Sequence, residues 1–172
     1  MIGVMVRQAN LDDAAVLAEL MTELNHTVGV VGYPEAMSRQ PEYADVSREQ
    51  MAGRLGRAEG IETVLLAEVN GQPAGFISLR VIPYLDQDTP YAEVTQMHVR
   101  PAFRRRRVGA LLIEAAEGLA DQAGATCVHI LTGEDNVAAQ SFYRAAGYEA
   151  ECIEFQKYLP APVDSRGLLT HG

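Results

Sequence analysis

Apolar positions along the chain recur with two different periods, and the switches between them mark the elements. Val4–Ala9 reads as a short strand. Asn10, Asp12 and Asp13 then offer helix caps, and Val16, Leu17, Leu20, Met21 and Leu24 recur at helical spacing. Thr27–Val46 breaks that pattern with Gly29, Gly32, Pro34 and Pro41, and is expected to be a loop long enough to carry function. Ser47-Arg48-Glu49-Gln50 approximates a capping box, so a second helix is expected to run from there to near Glu59-Gly60. Thr63–Val69 and Ala74–Val81 are β-rich and joined by Asn70-Gly71, a strong hairpin signal. Pro83–Pro90 reads as a loop, Tyr91–Val99 as a strand and Arg100–Arg106 as a turn. Val108, Leu111, Leu112, Ala115, Leu119 and Ala123 recur every three or four positions in a helix that opens at Arg107, with Gly124 closing it. Thr126–Leu131 is apolar throughout and suits a strand buried on both sides. After a turn at Thr132–Asp135, Asp135 or Asn136 caps a helix ending at Ala146, with Gly147 beyond it. Tyr148–Leu159 is expected as the last strand and Pro160–Gly172 as a loose tail.

The order is β-α-α-β-β-β-α-β-α-β. Strands joined by a tight hairpin are antiparallel, whereas Tyr91–Val99, its following helix and Thr126–Leu131 make a parallel, right-handed crossover. The fold class is α/β with a mixed, α+β-type sheet and helices on its faces. A chain of 172 residues matches one domain, residues 1–159, followed by the tail at 160–172.

Hydrophobic residues make up 48% and charged residues 22%, an ordinary globular balance. No apolar run approaches the roughly 20 residues of a membrane span, and Met1–Arg7 lacks the features of a signal peptide. The net charge is −9, which does not fit a general nucleic-acid binder. Yet five of the 14 basic residues, Arg100 and Arg104–Arg107, fall together, so an acidic chain holds one spot that attracts a small polyanion. Cys127 and Cys152 have no metal or redox spacing and sit in apolar segments, where a free cysteine is expected to be buried. Reduced cysteines fit a cytoplasmic setting. His26, His98, His129 and His171 are scattered, which gives a metal site no support.

The segment Val94-Thr-Gln-Met-His-Val-Arg-Pro-Ala-Phe-Arg-Arg-Arg-Arg-Val-Gly-Ala-Leu-Leu112 carries the chemistry. A strand ends, a turn follows, and a helix starts with Gly109 in its first turn. The first amides of a helix lack internal partners and lie at the positive end of its dipole, where a pyrophosphate fits. Gly109 and Ala110 are small enough for close approach, and the arginines add charge-assisted hydrogen bonds. Val99-Arg-Pro-Ala-Phe103 with Arg104-Arg-Arg-Arg107-Val108-Gly109 resembles the acetyl-CoA-binding motif of the GNAT superfamily of N-acetyltransferases, Arg/Gln-x-x-Gly-x-Gly/Ala. Arg107 stands where that family usually has its first glycine. A second segment, Asn136-Val-Ala-Ala-Gln-Ser-Phe142-Tyr143-Arg-Ala-Ala-Gly147-Tyr148, is similar to the family's Asn-x-x-Ala-x-x-Phe-Tyr-x-x-x-Gly-Phe signature. On a helix, Ala138, Ala139, Phe142, Ala145 and Ala146 are expected to form its core stripe, with Tyr143 about 100° from Phe142 on the border.

The resemblance implies a GNAT-like fold and acetyl transfer from acetyl-CoA to a primary amine, with no metal and no covalent acyl-enzyme. The two central parallel strands would splay, and backbone groups of Met97, His98 and Val99 would pair with the pantetheine arm. Arg104, Arg105, Arg106, Arg107, Val108, Gly109, Ala110 and Asn136 complete the expected cofactor set. Tyr143 matches the family's general acid for the leaving thiolate. Where many members carry a glutamate in the strand, this chain has Thr95, so Glu93, on the same face by strand alternation, is the candidate base. His98 is expected to face the other way unless a bulge re-aims it. Thr27–Val46 and Val81–Tyr91 are where the family builds its acceptor pocket; here they hold Tyr33, Glu35, Glu42, Tyr43, Asp45, Tyr84, Asp86, Asp88 and Tyr91, which suit a cationic amine. The expected partner is a small-molecule amine, with neither nucleic acid nor membrane, and a homodimer is an assembly open to it. A non-catalytic acyl-CoA-binding sensor or partner-binding module is the alternative.

Overall fold

Local chemistry starts each element, and the computed structural model describes the outcome for residues 3–30 and 45–150. The elements are β1 (Val4–Gln8), α1 (Ala14–Val30), α2 (Arg48–Ala58), β2 (Thr63–Val69), β3 (Gln72–Ile82), β4 (Tyr91–Val99), α3 (Val108–Gln122), β5 (Val128–Ile130) and α4 (Val137–Ala145). Asn10 and Asp13 form a reciprocal cap ahead of α1, across the short 3₁₀ turn Leu11–Asp13. Arg7 then ties that cap to the sheet, donating to Asp13 at 2.7 Å and to Glu68 on β2 at 2.8 Å. The guanidinium holds the Asp13 carboxyl below the usual carboxylate range. Ser47 and Gln50 make the expected capping box at α2. Asn70 and Gly71, at φ 52° and 77°, take the left-handed conformations that a tight hairpin needs.

The five strands lie in sequence order in one sheet. β1 to β4 are antiparallel neighbours, and β4 and β5 are parallel, as a crossover through α3 requires. Two apolar layers cover the sheet. On one face Leu65, Ala67, Ile77, Leu79, Ala92 and Val94 pack against Val108, Leu112, Ile113 and Ala116 of α3. On the other, Leu66 and Phe76 pack with Leu17, Leu20 and Met51 of α1 and α2.

Five expectations change. α1 continues past Thr27 to Val30, so the loop does not begin where Gly29 suggests. β5 is three residues long and half exposed, and among the described residues it pairs with β4 alone. Cys127, just ahead of β5, is exposed rather than buried. On α4, Phe142 and Tyr143 pack on the core while Ala138, Ala145 and Ala146 face outward, so the stripe is centred on the two rings. Tyr148–Ala150 have no regular structure. The remainder of the expected last strand, Cys152, the tail, and Tyr33, Glu35, Glu42 and Tyr43 lie outside the described residues.

Candidate active site

β4 sets the site. Its register against β3 runs Ser78 to Gln96 and then Leu79 to Val94, so Thr95 is an extra residue in a bulge. Ala92 and Val94 before the bulge, and Met97 and Val99 after it, all face α3. Thr95 and His98 therefore share the opposite face with Glu93. The bulge re-aims His98, reversing its orientation relative to simple alternation. The His98 ring is buried beneath α1, where its Nε2 lies 3.1 Å from Glu23 Oε2. Arg100 donates to the same glutamate at 2.9 Å. Burial lowers the pKa of His98 against the pull of Glu23, so the ring is biased toward the neutral form.

β4 pairs with β5 only at Ala92, Glu93 and Val94, opposite Val128, His129 and Ile130. Beyond Val94 the two strands part. The β4 edge from Thr95 to Val99 has no β5 partner among the described residues, and it includes the expected Met97, His98 and Val99 backbone. The Val99 carbonyl already accepts from Arg104 Nε at 3.0 Å.

The arginine turn leads from the end of β4 into α3. Pro101–Phe103 form a 3₁₀ turn, and Arg104–Arg107 are all exposed. Arg106 lies over the Phe103 ring, 5.9 Å from its centre. Arg107 caps α3 with φ 63° and ψ 3°, the left-handed conformation that favours glycine. Arg105 shares that conformation at φ 62°. A non-glycine residue there costs roughly 1–2 kcal/mol. The first intrahelical acceptor is the Arg107 carbonyl, which takes the Leu111 amide at 3.0 Å. The amides of Val108, Gly109 and Ala110 lack backbone partners among the described residues and suit an anion. Gly109 has a further reason to be small. A Cβ would meet Phe142 Cζ at 3.2 Å and Met97 Cε at 3.3 Å, so the residue lets α3, α4 and β4 converge.

Asn136 caps α4 by accepting the Ala139 amide at 3.2 Å. It thereby sets the helix that carries Tyr143. Tyr143 meets Phe142 and Tyr148 edge-on, with ring centres 5.4 and 6.1 Å away. Its hydroxyl has no hydrogen-bond partner among the described residues. Burial raises its pKa, so the phenol keeps its proton at neutral pH. Tyr148 is tied down instead, donating to Glu117 at 2.9 Å.

Across the sheet lies a polar row that the sequence reading missed in part. Glu93 accepts from Arg80 at 2.9 and 3.1 Å. The Thr95 hydroxyl donates to Glu62 and lies 2.7 Å from the hydroxyl of Ser78. Glu62 and Ser78 carried no local signal, since a bulge and three strands bring them together. An open cavity of about 780 Å³ lies at this end of the sheet, lined by Glu62, Arg80, Leu55, Glu59, Asn10 and Asp12 among others. Of the loop residues expected to meet an acceptor, Asp45 pairs with His26 at 2.9 Å. Tyr84 and Tyr91 stack 4.6 Å apart, at the opposite end of β4 from the arginine turn. Among the described residues no group of His, Cys, Asp and Glu side chains could hold a metal ion, and no helix is long and apolar enough to cross a membrane.

The comparisons with known proteins agree with this geometry. Residues 20–148 match the model of the acetyltransferase (GNAT) family. An uncharacterized N-acetyltransferase of Bacillus subtilis (strain 168), YhfO, is 30% identical over 147 residues, covering 85% of this chain and 90% of that protein. The aminoalkylphosphonate N-acetyltransferase of Salmonella typhimurium (strain LT2) is 33% identical over 94 residues, 55% of this chain and 61% of that one. Among solved structures, the aminoglycoside N-acetyltransferase AAC(6')-Iy in complex with CoA superposes with a TM-score of 0.71 at 18% identity, covering 92% of this chain and 96% of that one. A bulged strand that leaves its parallel neighbour beside a helix with free amides is thus found in a chain that belongs to the GNAT family of acetyltransferases, enzymes that use acetyl-CoA as acetyl donor.

Proposed function

We propose that the protein transfers the acetyl group of acetyl-CoA to a primary amine of a small, cationic molecule. The observation that carries this reading is the β4 edge beyond Val94, which has no strand partner among the described residues and leads to the amides of Val108, Gly109 and Ala110, which lack backbone partners among them too. The amides and the arginines would hold the phosphates, and the Met97–Val99 backbone would hold the pantetheine arm. When bound, acetyl-CoA supplies a thioester carbonyl open to direct attack. Positioning of the two reactants is a large part of such catalysis, with effective molarities of about 10⁵–10⁸ M in well-oriented systems.

Tyr143 packs with the α3 face and keeps its proton, which suits donation to the departing sulfur. Glu93 lies on the α1–α2 face and is the base candidate that strand alternation offers. Acid and base on opposite faces let the amine enter from one side while the thiol is released toward the other. Asp12, Glu59 and Glu62 along the cavity favour a cationic acceptor. The substrates named for an aminoalkylphosphonate N-acetyltransferase and an aminoglycoside N-acetyltransferase are both small-molecule amines, and the aminoglycoside is also a cation.

The test is thiol release from acetyl-CoA against aminoglycosides, polyamines, aminoalkylphosphonates, amino-acid derivatives and peptide amines. Turnover is expected with cationic small molecules, and CoA should raise the melting temperature by binding the native state. A protein that CoA stabilises but that releases no thiol with any amine would be a sensor instead.

A further inference from the structure

We propose that Glu62, held in place by Thr95 and Ser78, is the group that takes the proton from the acceptor amine. This rests on the acetyl-transfer reading and deepens it. Glu62 lies between α2 and β2, and its amide bonds the Ala58 carbonyl at 2.9 Å, which fixes its backbone to the end of the helix. Its carboxylate accepts from the Thr95 hydroxyl. Because Thr95 spends its proton on Glu62, the Ser78 hydroxyl donates to Thr95, across 2.7 Å. Ser78 is 3% exposed and cannot turn to solvent. The result is a directed chain of donors that ends on one carboxylate.

Its place on the strand is the point. Thr95 is the bulged residue, and it directly follows Val94, the last residue of β4 that β5 pairs. An arm lying along the β4 edge from Val99 toward Met97 brings its carbonyl to this junction. The chain lacks a carboxylate on β4 there, and Glu62 delivers one from β2's approach to the same spot. Glu62 also lines the cavity, so an amine held there lies beside a wall that includes its carboxylate. Glu93 is differently placed. Its carboxylate accepts two hydrogen bonds from Arg80, and Glu62 adds to the field on that guanidinium. Glu93 therefore positions Arg80, and Glu62 keeps an oxygen for the substrate.

The proton balance is complete. Glu62 takes one proton from the ammonium, and the freed lone pair forms the N–C bond to the thioester carbonyl carbon. The nitrogen loses a second proton as the C–S bond breaks, and Tyr143 protonates the sulfur. Of the two protons lost from nitrogen, one replaces that of Tyr143 and the other passes to solvent.

Glu62→Gln tests the assignment beside Glu93→Gln, with an amine that the wild type acetylates. Glu62→Gln should lower kcat by about 10²–10⁴ near pH 7, and the deficit should shrink as the pH approaches the amine's own pKa. Calorimetry on the CoA-bound protein should show several-fold weaker binding of the ammonium to Glu62→Gln, with CoA affinity and melting temperature close to wild type. Thr95→Val should lower kcat less, because the carboxylate stays but loses its fixed orientation. A Glu62→Gln enzyme as fast as wild type at neutral pH overturns the proposal. So does a deficit that is equal at every pH, which is the mark of a structural role, and so does a Glu93→Gln variant that alone shows the alkaline recovery. A wild type with no amine substrate would instead strike the acetyl-transfer reading beneath it.

Discussion

On the α3 face of the sheet, the groups proposed to hold a ligand are backbone amides at the start of α3 and the edge of β4 that has no partner among the described residues. On the α1–α2 face they are side chains drawn from three places in the sequence: Glu62 ahead of β2, Ser78 and Arg80 on β3, and Glu93 and Thr95 on β4. The first site depends on where the chain stops pairing, and tolerates varied side chains, including an arginine where a glycine is usual. The second depends on which side chains meet, and a single substitution removes a partner. Backbone groups are present in any sequence that folds this way, whereas the side-chain row depends on the residues that happen to meet there.

Three experiments probe the contrast, beginning with the largest effect. Tyr143 is the side chain proposed to act from the backbone-built face. Tyr143→Phe keeps the ring against Phe142 and Tyr148 and removes only the hydroxyl, so turnover should fall by about 10²–10⁴. CoA affinity and unfolding midpoint should hardly move. Near-normal turnover would make the ring a packing residue and leave the α3 face with no catalytic side chain at all.

Gly109 comes next, and separates close packing from phosphate contact. Gly109→Ala presses a methyl toward Phe142 and Met97. Overpacking costs about 1–3 kcal/mol, partly offset by the roughly 0.5–1 kcal/mol that alanine gains in a helix. A net loss of about 1 kcal/mol in denaturant unfolding is expected, with CoA affinity nearly kept. The reverse pattern, intact stability and lost affinity, would place the residue against the phosphates. Gly109→Asp is the blunter variant, since it adds both bulk and charge at one point.

The smallest effect is at Arg107. Arg107→Gly relieves a left-handed arginine worth about 1–2 kcal/mol, while glycine gives back about 0.4–1 kcal/mol through the unfolded chain. A gain of a few tenths to about 1 kcal/mol should appear in equilibrium unfolding. If stability falls, the exposed side chain contributes more than its 3.7 Å approach to Glu114 suggests.

The same division governs how far the sequence could be read. The α3 amides and the α4 cap follow from contiguous residues, Arg104–Ala110 and Asn136–Tyr143, because helix starts are local events. The element order and the hairpin at Asn70-Gly71 are legible for the same reason. The face that His98 occupies was not, because the Thr95 bulge is visible only against β3. Nor was Glu62, which is 33 residues from Thr95 in sequence. The exposure of Cys127 was not legible either, because an apolar run does not say which of its residues the sheet covers.

Thr95 has one more consequence, which concerns parity. Before it, the even-numbered residues of β4 face α3; after it, the odd-numbered ones do. The strand thus carries a frameshift in its own side-chain reading frame. A comparison that counts alternate residues straight through it will exchange the roles of Met97 and His98. Deleting Thr95 would restore one frame along the whole strand and leave Met97 toward α3 and His98 toward Glu23. Keeping Thr95 but pairing it regularly would instead turn the imidazole toward the α3 core, so the orientation of everything beyond Val94 rests on one extra residue staying bulged.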